Sequence, residues 1–427
     1  PDRRNCGCNR NGGLSSHQPV SSHERHGRQR LIFLIASGLS TAGSFAGLTA
    51  KGWILMDETN EPMVLALHFA ALSLPTILVS GPAGVRTDRI GCERVLIQAQ
   101  WALLGAGLLG ALSIPLFQGQ AQVVMLLAST LLVGIAGAYE LTARNKYCAL
   151  LVDDNSELAP FLTSFSVVFN VGKLIGPLLG GWLITLTEPS MALTLDAATY
   201  LLPIASVIWL LHPRTELEQR SAAGEQASLR VAWRECGSTL RNVLMFTGMM
   251  CVVGFFHPGL GPFIAASELG DAPMDLAVFT SVLALGSISG GLLLQRNSHR
   301  FCQRPSLTLA GFALVTAVAQ LGMAYGGGVP FVLMMTLLIG AGTAGLLSSS
   351  NLITQVGSTQ VLRGRMAGLG QIAFLGGGGI SGLIAATLTD TMGLHTTFAI
   401  SGTLGVALAL LEIWRRGGSV LKEVRSV

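Results

Sequence analysis

Charge is what this sequence has least of. Only 12% of its 427 residues are Asp, Glu, Lys or Arg, about half the roughly 25% of an ordinary soluble domain. A chain of this length folded in water would have to cover two or more cores with polar surface. The residues to do so are missing, which argues against a soluble enzyme, a nucleic-acid-binding protein and a disordered chain. Aromatic residues are also few, at 6%. The seven cysteines, at 6, 8, 92, 148, 236, 251 and 302, are too scattered to build a disulfide framework. Cys6 and Cys8 with His17, His23 and His26 fit no standard zinc spacing, so no metal is expected. No Gly-x4-Gly-Lys-Ser/Thr loop offers an ATP site. No His-x3-His, acid pair or Ser-His set stands at helical spacing in the apolar stretches either. Neither a cofactor nor an enzyme active site is expected.

What the chain has in plenty is apolar length: hydrophobic residues make up 50%, and there are 53 glycines. A helix needs about 20 apolar residues to cross a bilayer. Such stretches recur at 31–54, 62–83, 95–117, 122–143, 161–184, 190–211, 242–266, 275–295, 306–326, 329–350, 367–388 and 395–414. These predict an all-α membrane protein of twelve spans. The seventh is interrupted at His257-Pro258-Gly259 and again at Gly261-Pro262, and the second contains His68 and Pro75.

Basic residues collect in cytoplasmic loops. With the N-terminus inside, every Lys and Arg except Lys51 and Lys173 falls in a cytoplasmic segment. The exterior loops carry acids instead: Asp57, Glu58, Glu61, Glu188, Glu268, Asp271, Asp275 and Asp390. Both termini are therefore expected in the cytoplasm. Residues 212–241 form the only long polar stretch between spans. The expected organisation is a disordered cytoplasmic tail at 1–30 and a six-helix bundle at 31–211. The linker at 212–241, a second bundle at 242–414 and a tail at 415–427 complete it. Gly84-x3-Asp88-Arg89 after the second span is echoed by Gly291-x3-Gln295-Arg296 after the eighth. Internal repeats of this kind build secondary transporters.

Two motifs carry a family resemblance. Gly84-Val-Arg-Thr-Asp88-Arg89-Ile-Gly91-Cys-Glu-Arg94 resembles the G-x3-D-R-x-G-R-R loop of the major facilitator superfamily, departing from it at Cys92-Glu93. Gly172-Lys173-Leu-Ile-Gly176-Pro177-Leu-Leu-Gly180-Gly181 is similar to the G-x3-G-P-x2-G-G motif of its exporters and antiporters. Leu74-Pro75, the run Asp196-Ala197-x-Thr199-Tyr200 and Leu362-Arg363-Gly364-Arg365 resemble the branch of macrolide exporters and the enterobactin exporter. The resemblance spans most of 31–414 and implies a gate. Asp88 would hold the cytoplasmic side closed, with a partner near Arg363 and Arg365; Arg89 and Arg94 belong to the same gating loop, with Gly84 at a close helix approach and Gly91 in a tight turn. Gly172, Gly176 and Gly180, at i, i+4 and i+8, would form a smooth packing strip, and Pro177 would bend the helix.

An ionisable residue inside a span is a functional candidate by default. Lys51, near the outer end of the first span, reads as an interfacial anchor reaching towards Asp57 or Glu58. Lys173 lies 12 residues beyond Phe161 in the fifth span, about 18 Å from the inner face. Asp196 enters the sixth span from outside to a matching depth, so the two are expected to pair or to share an aqueous cavity. They are candidates for substrate binding or proton coupling, with a structural ion pair as the other reading. The resemblance implies a monomeric exporter in the bacterial inner (cytoplasmic) membrane, working by alternating access. Its expected partners are the lipid bilayer, protons as coupling ion, and a small organic substrate, either a siderophore or a drug-like amphiphile. A lipid flippase on the same fold is the alternative.

Overall fold

The computed structural model describes residues 22–151, 155–210, 233–297, 305–358 and 363–417. Among these, eleven helices are each long and apolar enough to cross a membrane. The twelfth crossing is a broken pair. Spans one to six are Ser22–Thr59, the pair Pro62–Ser73 and Pro75–Ile90, Cys92–Leu116, Gln120–Leu150, Asn155–Leu186, and the pair Pro189–Thr199 and Leu201–Leu210. Spans seven to ten are the pair Ser238–Gly254 and Gly261–Glu268, then Pro273–Arg296, Pro305–Tyr325 and Val329–Val356. The eleventh runs as Arg363–Gln371, a π turn at Ile372–Gly376, and Gly377–Met392; the twelfth is Leu394–Gly417. The first helix starts at Ser22, inside the stretch expected to be a disordered tail. Residues 1–21, most of the 212–241 linker and 418–427 lie outside the described residues.

The breaks have local causes. Pro258 has no N–H to give the Gly254 carbonyl one turn back, so the seventh span opens there. The Gln320 amide of the ninth span donates to that freed carbonyl at 2.6 Å. Pro75 likewise frees the carbonyl of Ala71. A Cβ on Gly134 of the fourth span would lie 2.6 Å from this oxygen, so only glycine allows so close a packing there.

The halves repeat one another. In the first, the first span packs on the fifth, the second and third on the fourth, and the third on the sixth. Six spans later the same pairs recur: seventh on eleventh, eighth and ninth on tenth, ninth on twelfth. The halves meet along two main seams, second span against eleventh and fifth against eighth. One end of the bundle carries the basic 84–94 loop and the other the acidic 57–61 loop; they are called here the basic and acidic ends. At the acidic end the halves touch, and the Trp53 indole donates to the Asp271 carbonyl at 3.2 Å. Gly259 packs on Phe69 there, and a Cβ on Gly379 would meet the Ser73 hydroxyl at 2.7 Å.

Candidate functional site

The most polar part of the N-terminal interior is built by the first, fourth and sixth spans. Lys51 is 4% exposed and Asp196 5%. The Lys51 ammonium donates to Ser129 Oγ at 2.8 Å, and the Ser129 hydroxyl in turn donates to the Ala106 carbonyl at 2.7 Å. Asp196 lies within electrostatic reach of Lys51 and is hydrogen-bonded by Tyr200, whose hydroxyl also receives a bond from Ser44 at 3.0 Å. Among the described residues Asp196 Oδ1 has no hydrogen-bond partner. Glycine makes the room. The carboxylate sits directly over Gly47, and a Cβ on Gly110 would be 3.0 Å from Lys51 Cε. Nearby, His68 Nδ1 shares a hydrogen bond with Thr130 at 3.1 Å.

Lys51 is thus no interfacial anchor. The first helix continues to Thr59, so Lys51 stands about 12 Å short of its end, and its ammonium is held by Ser129 inside the bundle. It faces the bundle, and the cation beside Asp196 is Lys51.

Lys173 lies elsewhere. Gly172 packs on Thr41 and Ala42 of the first span. One residue on, about 100° round the helix, Lys173 points across the seam and donates to Ser287 of the eighth span at 3.4 Å. The expected pairing of Lys173 with Asp196 is corrected accordingly. Lys173 follows a glycine packed on Thr41 and Ala42, whereas Asp196 lies over Gly47, and the two point to different neighbours.

The glycine strip is a contact surface. Cβ atoms on Gly176 and Gly180 would come to 2.5 and 2.6 Å from the carbonyls of Ala42 and Ala46, so backbone lies against backbone along the first and fifth spans. Gly181 turns to the other half, where a Cβ would lie 2.6 Å from that of Ala277. The fifth helix runs unbroken through Pro177 from Asn155 to Leu186.

At the basic end, Gly91 takes φ 91°, a left-handed conformation that suits glycine, and joins the second and third spans. Asp88 pairs with Lys146 of the fourth span at 3.0 Å, its side chain 57% exposed. Arg86 donates to Gln98 at 3.0 Å; Arg89 and Arg94 are exposed. Arg363 and Arg365 open the first helix of the eleventh span, and their side chains lie outside the described residues. A Cβ on Gly84 would meet nothing within 4 Å, so the expected close approach there is absent from this arrangement. Sequence inspection passed over one pair nearby. Arg144 binds Glu140 at 2.9 Å and lies 5.0 Å from the Phe165 ring centre. Its i, i+4 spacing was the available signal.

Residues 24–417 match the family model described as transmembrane secretion effector. The multidrug efflux pump Tap of Mycobacterium tuberculosis (strain ATCC 25618 / H37Rv) is 24% identical over 385 residues, covering 86% of this chain and 88% of the pump. The Tap pump of Mycolicibacterium fortuitum is 23% identical over 382 residues, covering 86% and 91%. Among solved structures, a D-xylose-proton symporter superposes with TM-score 0.73 at 14% identity, over 92% of this chain and 97% of that one. A bacterial homologue of the iron transporter ferroportin, in an inward-facing state, gives 0.70 at 16% identity, over 91% and 98%. These two likenesses concern the fold alone.

Proposed function

Because the chain belongs to the transmembrane secretion effector family of the major facilitator superfamily, whose members are transporters and not enzymes, we propose that it exports drug-like amphiphiles in exchange for protons. It is a secondary transporter homologous to drug efflux pumps. The proposal adds the direction, the substrate and the coupling.

The observation that carries the coupling is the buried Lys51–Asp196 pair. A carboxylate with one free oxygen, set among apolar helices, can take up a proton. Ionised, Asp196 compensates the Lys51 charge across the first and sixth spans. Protonated, it leaves that charge to Ser129 alone and weakens the tie between the two helices. A proton therefore changes how the first span is held, and the first span packs backbone to backbone on the fifth. That linkage suits a cycle in which proton entry and substrate exit alternate.

The basic end is taken as cytoplasmic from the distribution of Lys and Arg, in the inner membrane. The contacts between the halves at the acidic end support a reading in which the protein opens inward, towards the compartment from which an exporter loads. One chain supplies both repeated halves, which supports action as a monomer. The motif at Gly172–Gly181 supports export over import.

The test is dye efflux in everted membrane vesicles, with ethidium as the probe and an imposed proton gradient as the drive. Asp196→Asn, expressed at the wild-type level, should abolish gradient-driven ethidium movement. Wild-type rates in that variant, or wild-type transport insensitive to a protonophore, would overturn the coupling.

A further inference from the structure

Arg86 lies four residues before the end of the second span at Ile90, about 6 Å inside it. Its guanidinium donates to Gln98 Oε1 at 3.0 Å, and Gln98 stands six residues into the third span from Cys92, about 9 Å along the helix. Among the described residues no carboxylate pairs with Arg86. The two side chains border a cavity of about 300 Å³ between the second, third and fourth spans. The rest of its wall is mostly apolar. Ala102 of the third span and Leu132 and Ile135 of the fourth line it, with Tyr139 nearer the basic end.

The mouth of this cavity faces lipid. Gln98 and Ala102 are exposed, and at helical spacing they share a stripe with the exposed side chains Trp101, Leu108 and Leu112. The third span packs chiefly on the fourth and sixth, at the rim of its bundle, so the stripe looks away from the seam between the halves. Polar groups on such a flank are rare and costly. This pair offers donors alone: the Gln98 carbonyl oxygen is taken by Arg86, which leaves the Gln98 amide N–H groups and the remaining guanidinium N–H groups to donate.

We propose that the cavity is a binding site for an anionic phospholipid, its phosphodiester held by Arg86 and Gln98 and an acyl chain laid along Ala102, Leu132 and Ile135. A phosphate supplies both the acceptors and the negative charge that the protein withholds, and basic pockets between spans suit anionic headgroups. A cationic amphiphile would meet like charge and no acceptor at Arg86 and Gln98. The proposal needs only a lipid-facing flank, and it stands apart from the direction and coupling of transport proposed above.

The test is lipid binding by the full-length protein, delipidated in neutral detergent. It is titrated with phosphatidylglycerol and with phosphatidylcholine of the same acyl chains, and bound lipid is counted by native mass spectrometry. The wild type should bind phosphatidylglycerol about fivefold more tightly. Arg86→Gln should remove most of that preference and Gln98→Leu part of it. Ala102→Leu, which fills the groove without touching charge, should weaken both lipids together. Arg296→Gln, at the corresponding end of the eighth span and outside the cavity, should change neither. Inorganic phosphate in excess should not displace the lipid. A wild type without preference overturns the proposal, as does an Arg86→Gln that keeps it, an Ala102→Leu that binds both lipids normally, or displacement by inorganic phosphate. An equal loss in Arg296→Gln overturns it too, because it would show diffuse attraction to the basic end. Should Arg86→Gln not fold, an unchanged ratio in Gln98→Leu is decisive in its place. No substrate or gradient is present, so a failure of the efflux experiment leaves these affinities untouched.

Discussion

Lys51 of the first span and Asp196 of the sixth are both buried, 4% and 5% exposed, and lie within electrostatic reach of one another, Asp196 over Gly47 and Lys51 over Gly110. Removing one member leaves the other buried with less compensation, which destabilises the fold. Lys51→Met and Asp196→Leu should each lower the unfolding temperature in detergent. Combining them should recover most of the loss, because no charge is stranded. Transport should fail in all three, and recovered stability with failed transport identifies the pair as working parts.

The glycine strip predicts overpacking. Gly180→Ala places a methyl group 2.6 Å from the Ala46 carbonyl, which the first span must accommodate by moving. A cost of about 1–3 kcal/mol is expected, with loss of ethidium efflux. Gly137→Ala, where nothing lies within 4 Å, should be neutral in both assays.

How much of this was legible beforehand depends on the kind of information each feature needs. Apolar length gave the twelve crossings, and Pro258, Gly259 and Pro262 marked the break in the seventh, because these act through local backbone chemistry. Direction around a helix was not legible: Gly172 fixes the fifth span against Thr41 and Ala42 of the first and so turns Lys173 towards Ser287, while Asp196 sits over Gly47. Lys51 was misread for another reason: the first span was ended at residue 54, while the helix continues to Thr59.

The basic-end pair Asp88–Lys146 should matter little to stability. With Asp88 57% exposed, such a pair contributes about 0–1 kcal/mol. Lys146→Ala should shift the unfolding temperature only slightly, and less still in 1 M salt, where the screening length falls to about 3 Å. A large, salt-independent shift would show that Asp88 holds more than Lys146.

The contact at the acidic end can be trapped. In a background without native cysteines, Trp53→Cys combined with Asp271→Cys replaces the side chain and backbone partners that meet at 3.2 Å. A short bifunctional thiol reagent should link them in the absence of substrate, and the linked protein should not transport. Reduction-cleavable reagents should restore efflux on treatment with thiol. Linkage that leaves transport at the wild-type rate would mean the two positions need not separate.

The π turn at Ile372–Gly376 has a further consequence for the eleventh span. A wide turn interrupts the regular hydrogen-bond ladder, so the segments on either side are not obliged to turn together. The segment beyond it packs on Phe255 and Ser73 through Gly378 and Gly379, while the segment before it begins at Arg363 near the opposite mouth. The span is therefore not bound to behave as a single rod: its glycine-packed segment and the segment that begins at Arg363 are joined through a wide turn that does not hold them in one register.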